Sequence, residues 1–209
     1  MDGKGIIRSL GVALKHFVDS YVVDIQARLS GRKRYYTPEG IKERSSADMR
    51  GIVTIQYPEE KLPVPEEFRY IPFLLYEEGE DGKQELRCTS CGICAKVCPP
   101  QCIWIQRTTD PNTGRPVPAP AAFYIDVDIC MNCGFCAEYC PFDAIKMDHD
   151  YEIASYDRSK EHIFDLNRLA KPVSYYAEIR PTNYAREEAA RQAELEAKAA
   201  RKAGAASAR

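Results

Sequence analysis

Nowhere in its 209 residues does the chain hold the uninterrupted apolar run, about 18 residues or more, that a helix needs to cross a bilayer, so no membrane-spanning helix is predicted. A basic excess is missing too. Lys and Arg total 29 against 31 Asp and Glu, a net charge of −2, which argues against nucleic acid as a partner. No G-x-G-x-x-G or Walker stretch is present, so direct nucleotide binding is not expected. Histidine is scarce: His16, His149 and His162 lie too far apart in sequence to form a ligand set and read as surface or packing residues. Near the N-terminus Lys15, His16, Asp19 and Asp24 interrupt the apolar positions and no small-residue cleavage site follows. No secretory signal is expected, and the cysteines belong in a reducing cytoplasm.

Cysteine is what the chain has in quantity, nine in all, and five of them fall within CTSCGICAKVCPPQC, residues 88–102. Tightly spaced thiols in a reducing compartment bind metal or do redox chemistry more often than they form structural disulfides. Set against CMNCGFCAEYCPFDAIKM (130–147), the stretch CTSCGICAKVCPPQCIWI (88–105) shows eight identities in eighteen positions. The cysteine region is therefore an internal duplication. Each copy reads C-x2-C-x2-C-x3-C-P, the spacing of two-cluster ferredoxins, in which the fourth cysteine ligates the other copy's cluster. Three cysteines at intervals of three wrap a tight loop around one cube, and a helical turn carries the fourth away. Cys88, Cys91, Cys94 and Cys140 are thus expected to hold one [4Fe–4S] cluster, and Cys130, Cys133, Cys136 and Cys98 the second.

Gly92 and Gly134 follow the second cysteine of each copy, where a missing side chain lets backbone approach a cluster and donate N–H to sulfur. Pro99 and Pro141 end the preceding turn. The remaining thiol, Cys102, corresponds to Ala144 in the second copy and is expected to be a buried spare rather than a ligand. Trp104 and the tyrosines near the motifs are expected in the core. Zinc is the competing occupant, but four-cysteine zinc sites usually arrive as two separated C-x2-C pairs.

Outside the motifs, residues 1–36 carry a charge of +4 and residues 37–87 a charge of −5. Ile6, Ile7, Leu10, Leu14, Phe17, Val18, Tyr21, Ile25 and Leu29 recur at spacings of three and four, an amphipathic helix ending near Gly31. The stripe runs into Arg28, Arg32, Lys33 and Arg34 and then Tyr35 and Tyr36, a combination suited to a membrane surface or a partner subunit. The expected organisation is an anchoring helix and basic segment (1–36), an irregular connecting arm (37–87), a ferredoxin-like domain (88–150), an extended subunit-contacting segment (151–183) and a solvated helical or disordered tail (184–209). In class this is α+β, a duplicated bacterial 2[4Fe–4S] ferredoxin-like domain with an N-terminal amphipathic helix and a long C-terminal extension.

With the helix, RGIVTIQYPEE (50–60), the paired motifs and DYEIASYDR (150–158) considered together, most of residues 5–170 resembles the subunit I family of proton-pumping NADH:quinone oxidoreductase, the ferredoxin-like subunit of respiratory complex I. Residues 61–87 are longer than in the short family form, and the Ala-rich tail extends past residue 184. The resemblance implies an electron relay without a substrate site of its own, passing single electrons through two [4Fe–4S] clusters toward a terminal cluster and quinone. It also implies other complex I subunits as partners and a peripheral place on the cytoplasmic face of the bacterial cell membrane. A free soluble ferredoxin and a zinc-stapled interaction module are the competing classes, and a shuttle would have little use for so much chain outside the cluster fold.

Overall fold

The computed structural model describes residues 3–79 and 83–207. They fall into two compact units, Met1–Pro63 and Val64–Arg209, so the division lies inside the stretch expected to be a single arm.

In the first unit, α1 spans Lys4–Leu29 and α2 spans Pro38–Arg44. Thr37 caps α2 by accepting from the Gly40 amide at 3.1 Å, and Pro38 opens it at the position where a missing N–H costs nothing. Gly40 is required by close approach: a Cβ there would stand 2.2 Å from the Arg34 carbonyl oxygen. The interior of this unit is polar. Arg44 is buried against Glu60, which also accepts from the amides of Tyr36 and Gln56. Its guanidinium lies 4.6 Å over the Tyr35 ring, whose hydroxyl donates to Asp24 at 2.8 Å. Helix α1 meets this network through Asp19, Asp24 and Ala27, whereas Leu10, Leu14, Phe17 and Tyr21 on the opposite stripe are each more than 60% exposed. Arg34, expected among lipid-facing cations, is buried and paired with Asp24. Its charge is consumed inside the unit.

The second unit begins with β1 (Pro72–Glu78) and β2 (Gln84–Leu86), followed by α3 (Ile93–Val97), β3 (Ile103–Thr109), β4 (Pro116–Asp126), α4 (Phe135–Glu138) and β5 (Ile145–Met147). Then come α5 (Arg158–Glu161), β6 (Ile163–Phe164), α6 (Leu166–Leu169), β7 (Ala170–Pro172), α7 (Val173–Ile179) and α8 (Pro181–Ser207). The last two residues of the expected tail lie outside the described residues. One sheet is centred on β1, which pairs antiparallel with β2 and β5 and parallel with β7. The second sheet is β3–β4–β6, all antiparallel.

The run PFLL that opens β1 is apolar without alternation because this part of the strand is covered on both faces. Leu74 joins Phe123, Ile125, Ile145 and the cysteines in the main core, whereas Phe73 and Leu75 pack with Tyr176 of α7 in a second cluster. Successive side chains of a strand point to opposite faces, and the same period decides the fate of Trp104. Ile103 and Ile105 turn inward from β3, and Trp104 opposite Tyr124 is left 48% exposed. The tryptophan expected in the core therefore lies on the solvent face of the hairpin that separates the two motifs.

Candidate functional site

The two cysteine motifs adopt the same backbone. Left-handed φ values recur at equivalent positions: Ser90 (57°) and Asn132 (53°), Gly92 (78°) and Gly134 (82°), Gln101 (52°) and Asp143 (50°). Each glycine caps a short helix, α3 or α4, with the left-handed turn that a Cβ disfavours. Nearby backbone amides favour the thiolate forms: Ser90 at Cys88, Asn132 at Cys130, Ala95 at Cys94 and Ala137 at Cys136. The Ala144 amide donates to Cys140 Sγ at 3.4 Å.

Two small cavities result. One is lined by Cys88, Cys91, Cys94 and Cys140 with Leu74, Phe123 and Ala144. The other is lined by Cys130, Cys133, Cys136 and Cys98 with Cys102, Ile103 and Met147. All eight motif cysteines are thereby brought together in the expected crossed sets, three thiols from one copy and the fourth from the other. Among the described residues no three His, Cys, Asp or Glu side chains gather tightly enough to hold a single metal ion. Each set of thiols surrounds a space instead, and the donor set, four soft thiols with amide N–H support in an apolar wall, suits an iron–sulfur cluster.

Burial pushes the Cys94 and Cys136 thiols up to about 12 and raises Cys88 as well. A cluster binding there must displace protons. At the second cavity the neighbouring Cys102 thiol draws the Cys130 thiol below its ordinary value, and the Cys102 sulfur is 3.5 Å from Cys98 Sγ. Cys102 is 1% exposed, as expected of a spare thiol, yet it stands in the cavity wall among the motif sulfurs.

Residues far from the motifs in sequence hold the loops. Arg107 of β3 donates to the Ser90 and Cys91 carbonyls at 2.8 and 3.2 Å, and Arg69 donates to the Cys133 carbonyl at 3.1 Å while pairing with Glu138 at 2.7 Å. Each loop thus has its own guanidinium fastener, and no sequence spacing announced either. The Ser90 hydroxyl, 1% exposed, has no partner among the described residues. Such an orphaned donor fits a loop built to face a group outside the polypeptide.

Residues 87–144 match the 4Fe-4S dicluster domain family. Among similar proteins is an NADH-quinone oxidoreductase subunit I of Koribacter versatilis, 34% identical over 138 residues that cover 66% of this chain and 80% of the relative. The chain belongs to the NADH-quinone oxidoreductase subunit I family. Other subunit I proteins are those of Symbiobacterium thermophilum, 42% identical over 58% of this chain and 48% of the relative, and Anaeromyxobacter dehalogenans, 40% identical over 81% and 66%. The chain spans about half to two thirds of the length of those two relatives. As in the subunit I family's dicluster domain, the cofactors of residues 87–144 are two [4Fe–4S] clusters.

Proposed function

We propose that Cys88, Cys91, Cys94 and Cys140 ligate one cluster, that Cys130, Cys133, Cys136 and Cys98 ligate the other, and that the chain is the electron-relay subunit of a proton-pumping NADH:quinone oxidoreductase. The observation that carries this is the pair of four-thiol cavities, each completed by the fourth cysteine of the opposite copy. Bound there, such clusters exchange single electrons at low potential. The polypeptide positions the thiols, donates amide N–H to sulfur and keeps water out with Leu74, Phe123, Ile103 and Met147. The matched left-handed positions support descent of the two motifs from one duplicated unit.

The proposed partners are other subunits of the peripheral and membrane arms, and the electrons leave toward a terminal cluster and quinone. No described helix is long and apolar enough to cross a membrane. The proposed attachment, on the cytoplasmic face of the bacterial cell membrane, instead uses the exposed apolar stripe of α1 with the exposed Arg28 and Lys33 beside it. Iron and sulfide analysis with low-temperature EPR on anaerobically purified full-length protein tests the ligand reading, and co-purification from native membranes tests the assembly. Two reduced-cluster signals and oxidoreductase subunits alongside are expected. Zinc in place of iron would sink the first half, and recovery as a lone soluble protein the second.

A further inference from the structure

We propose that Cys102 is a hydrogen-bond donor to the ligands of the second cluster and raises that cluster's reduction potential, a role that rests on the ligand assignment above. Its side chain is 1% exposed and shares the wall of one cavity with Cys98, Cys130, Cys133 and Cys136. Its sulfur lies 3.5 Å from Cys98 Sγ, within reach of an S–H···S hydrogen bond, and Cys130 lines the same cavity wall. Cys98 and Cys130 are ligands contributed by different copies of the motif, and the thiol stands in the wall that both share.

The repeat supplies an internal control. At the equivalent position beside the first cavity stands Ala144, which lines that cavity but offers only its backbone amide, at 3.4 Å from Cys140 Sγ. The two loops share their left-handed backbone positions. Cys102 is thus a side-chain S–H in the second cavity wall where the first has a methyl group.

A thiol shut in an apolar wall beside negatively charged ligands keeps its proton, since ionising it would place another negative charge there without water. As a donor it interacts most strongly with whichever state carries more negative charge on the ligating sulfurs, which is the reduced one. One electron enters, no proton moves, and the Cys102 S–H bond remains intact throughout. The reduced state of the second cluster is thus favoured over that of a site lacking the thiol. For a weak S–H donor the expected gain is about threefold to tenfold in the one-electron equilibrium, tenfold being about 59 mV. Between two adjacent clusters such a difference sets which one holds the electron.

The test compares wild type, Cys102→Ala and Cys102→Ser as anaerobically purified full-length holoprotein. EPR-monitored redox titration gives the potential of each cluster, and proton ENDOR after exchange into D2O counts exchangeable protons coupled to the reduced clusters. Cys102→Ala is expected to keep both clusters, lower the second cluster's potential by the equivalent of a threefold to tenfold change in the one-electron equilibrium, lose one exchangeable coupling and leave the first cluster unmoved. Cys102→Ser, which restores a donor, is expected to recover part of the shift. An unchanged potential in Cys102→Ala with both clusters present overturns the donor role and leaves the ligand assignment standing. Loss of the second cluster in that variant makes Cys102 a ligand and overturns both. Absence of an exchangeable coupling at the wild-type second cluster overturns the donor role without recourse to any variant.

Discussion

A cysteine in a cluster loop is useful only where its neighbours aim it. Its spacing was legible because three-residue intervals have few physical explanations, and both cavities are lined by the cysteines that the spacing grouped. Replacing Cys98 with Ala is therefore expected to abolish the cluster otherwise held by Cys130, Cys133 and Cys136 while the first EPR signal persists; loss of the first signal alone would contradict crossed ligation. Less was legible about the residues between the cysteines. Asn132 and Asp143 are types that tolerate left-handed backbone, but Ser90 and Gln101 take the same conformation with nothing in their chemistry to suggest it. They are held there by the tertiary structure around them. Phe123, fully buried in the core and in the wall of the first cavity, belongs to this scale as well. Phe123→Ala is expected to cost about 3–5 kcal/mol in urea unfolding of the holoprotein, the range for deleting a buried aromatic ring.

At the scale of elements, local pattern and long-range partners contribute unequally. The amphipathic period of α1 and the doubly buried run of β1 are properties of a few neighbouring residues, which a sequence displays directly. The start of α8 is different, because Glu66, more than 110 residues earlier, accepts from the amides of Thr182 and Asn183 at 2.7 and 3.0 Å. A cap supplied from so far away leaves no signature at the helix itself. The first unit rests on a contact equally hidden, the buried pair of Arg44 with Glu60, which lie 16 residues apart. The Arg44 guanidinium holds the Glu60 carboxyl down at about 2, from an ordinary 4.5. Because the folded value is the lower one, the contribution is full above about 4.5 and is lost as pH falls toward 2. Hydrogen exchange of amides in residues 34–60 is expected to accelerate across that acid window before those around β1 and β4 do. Arg44→Leu, which strands a buried carboxylate, is expected to abolish the window and loosen the unit at neutral pH. Joint replacement with Glu60→Leu should restore protection, and equal damage from the double variant would show that the pair is not the cause.

For the molecule as a whole, the open matter is what the outward face of α1 meets. The helix buries Asp19 and Ala27 and turns Ile6, Ile7, Leu10, Leu14, Phe17, Tyr21, Ile25 and Leu29 outward, each more than half exposed. That is the reverse of a helix whose apolar stripe serves its own domain. A stripe of this kind suits a lipid headgroup boundary or an apolar partner, and Tyr36, 67% exposed, suits an interface. Each exposed cation near anionic lipid would add about 1 kcal/mol. Truncating residues 1–36 would be a blunt test, because Arg34 and Asp24 are fixed inside the first unit and would leave with the helix. A sharper variant exchanges the exposed Leu10, Leu14, Phe17 and Tyr21 for Gln, which keeps helix propensity and leaves the buried Asp19 and Ala27 unchanged. Exposed positions like these typically shift stability by no more than about 0.5 kcal/mol each. The variant is therefore expected to show wild-type helicity and both clusters, yet to fail to sediment with native membranes and to support no quinone reduction there. Charge reversal at Arg28 and Lys33 should weaken the same association and make it more sensitive to salt. Full membrane association by the four-Gln variant would show that the stripe anchors nothing.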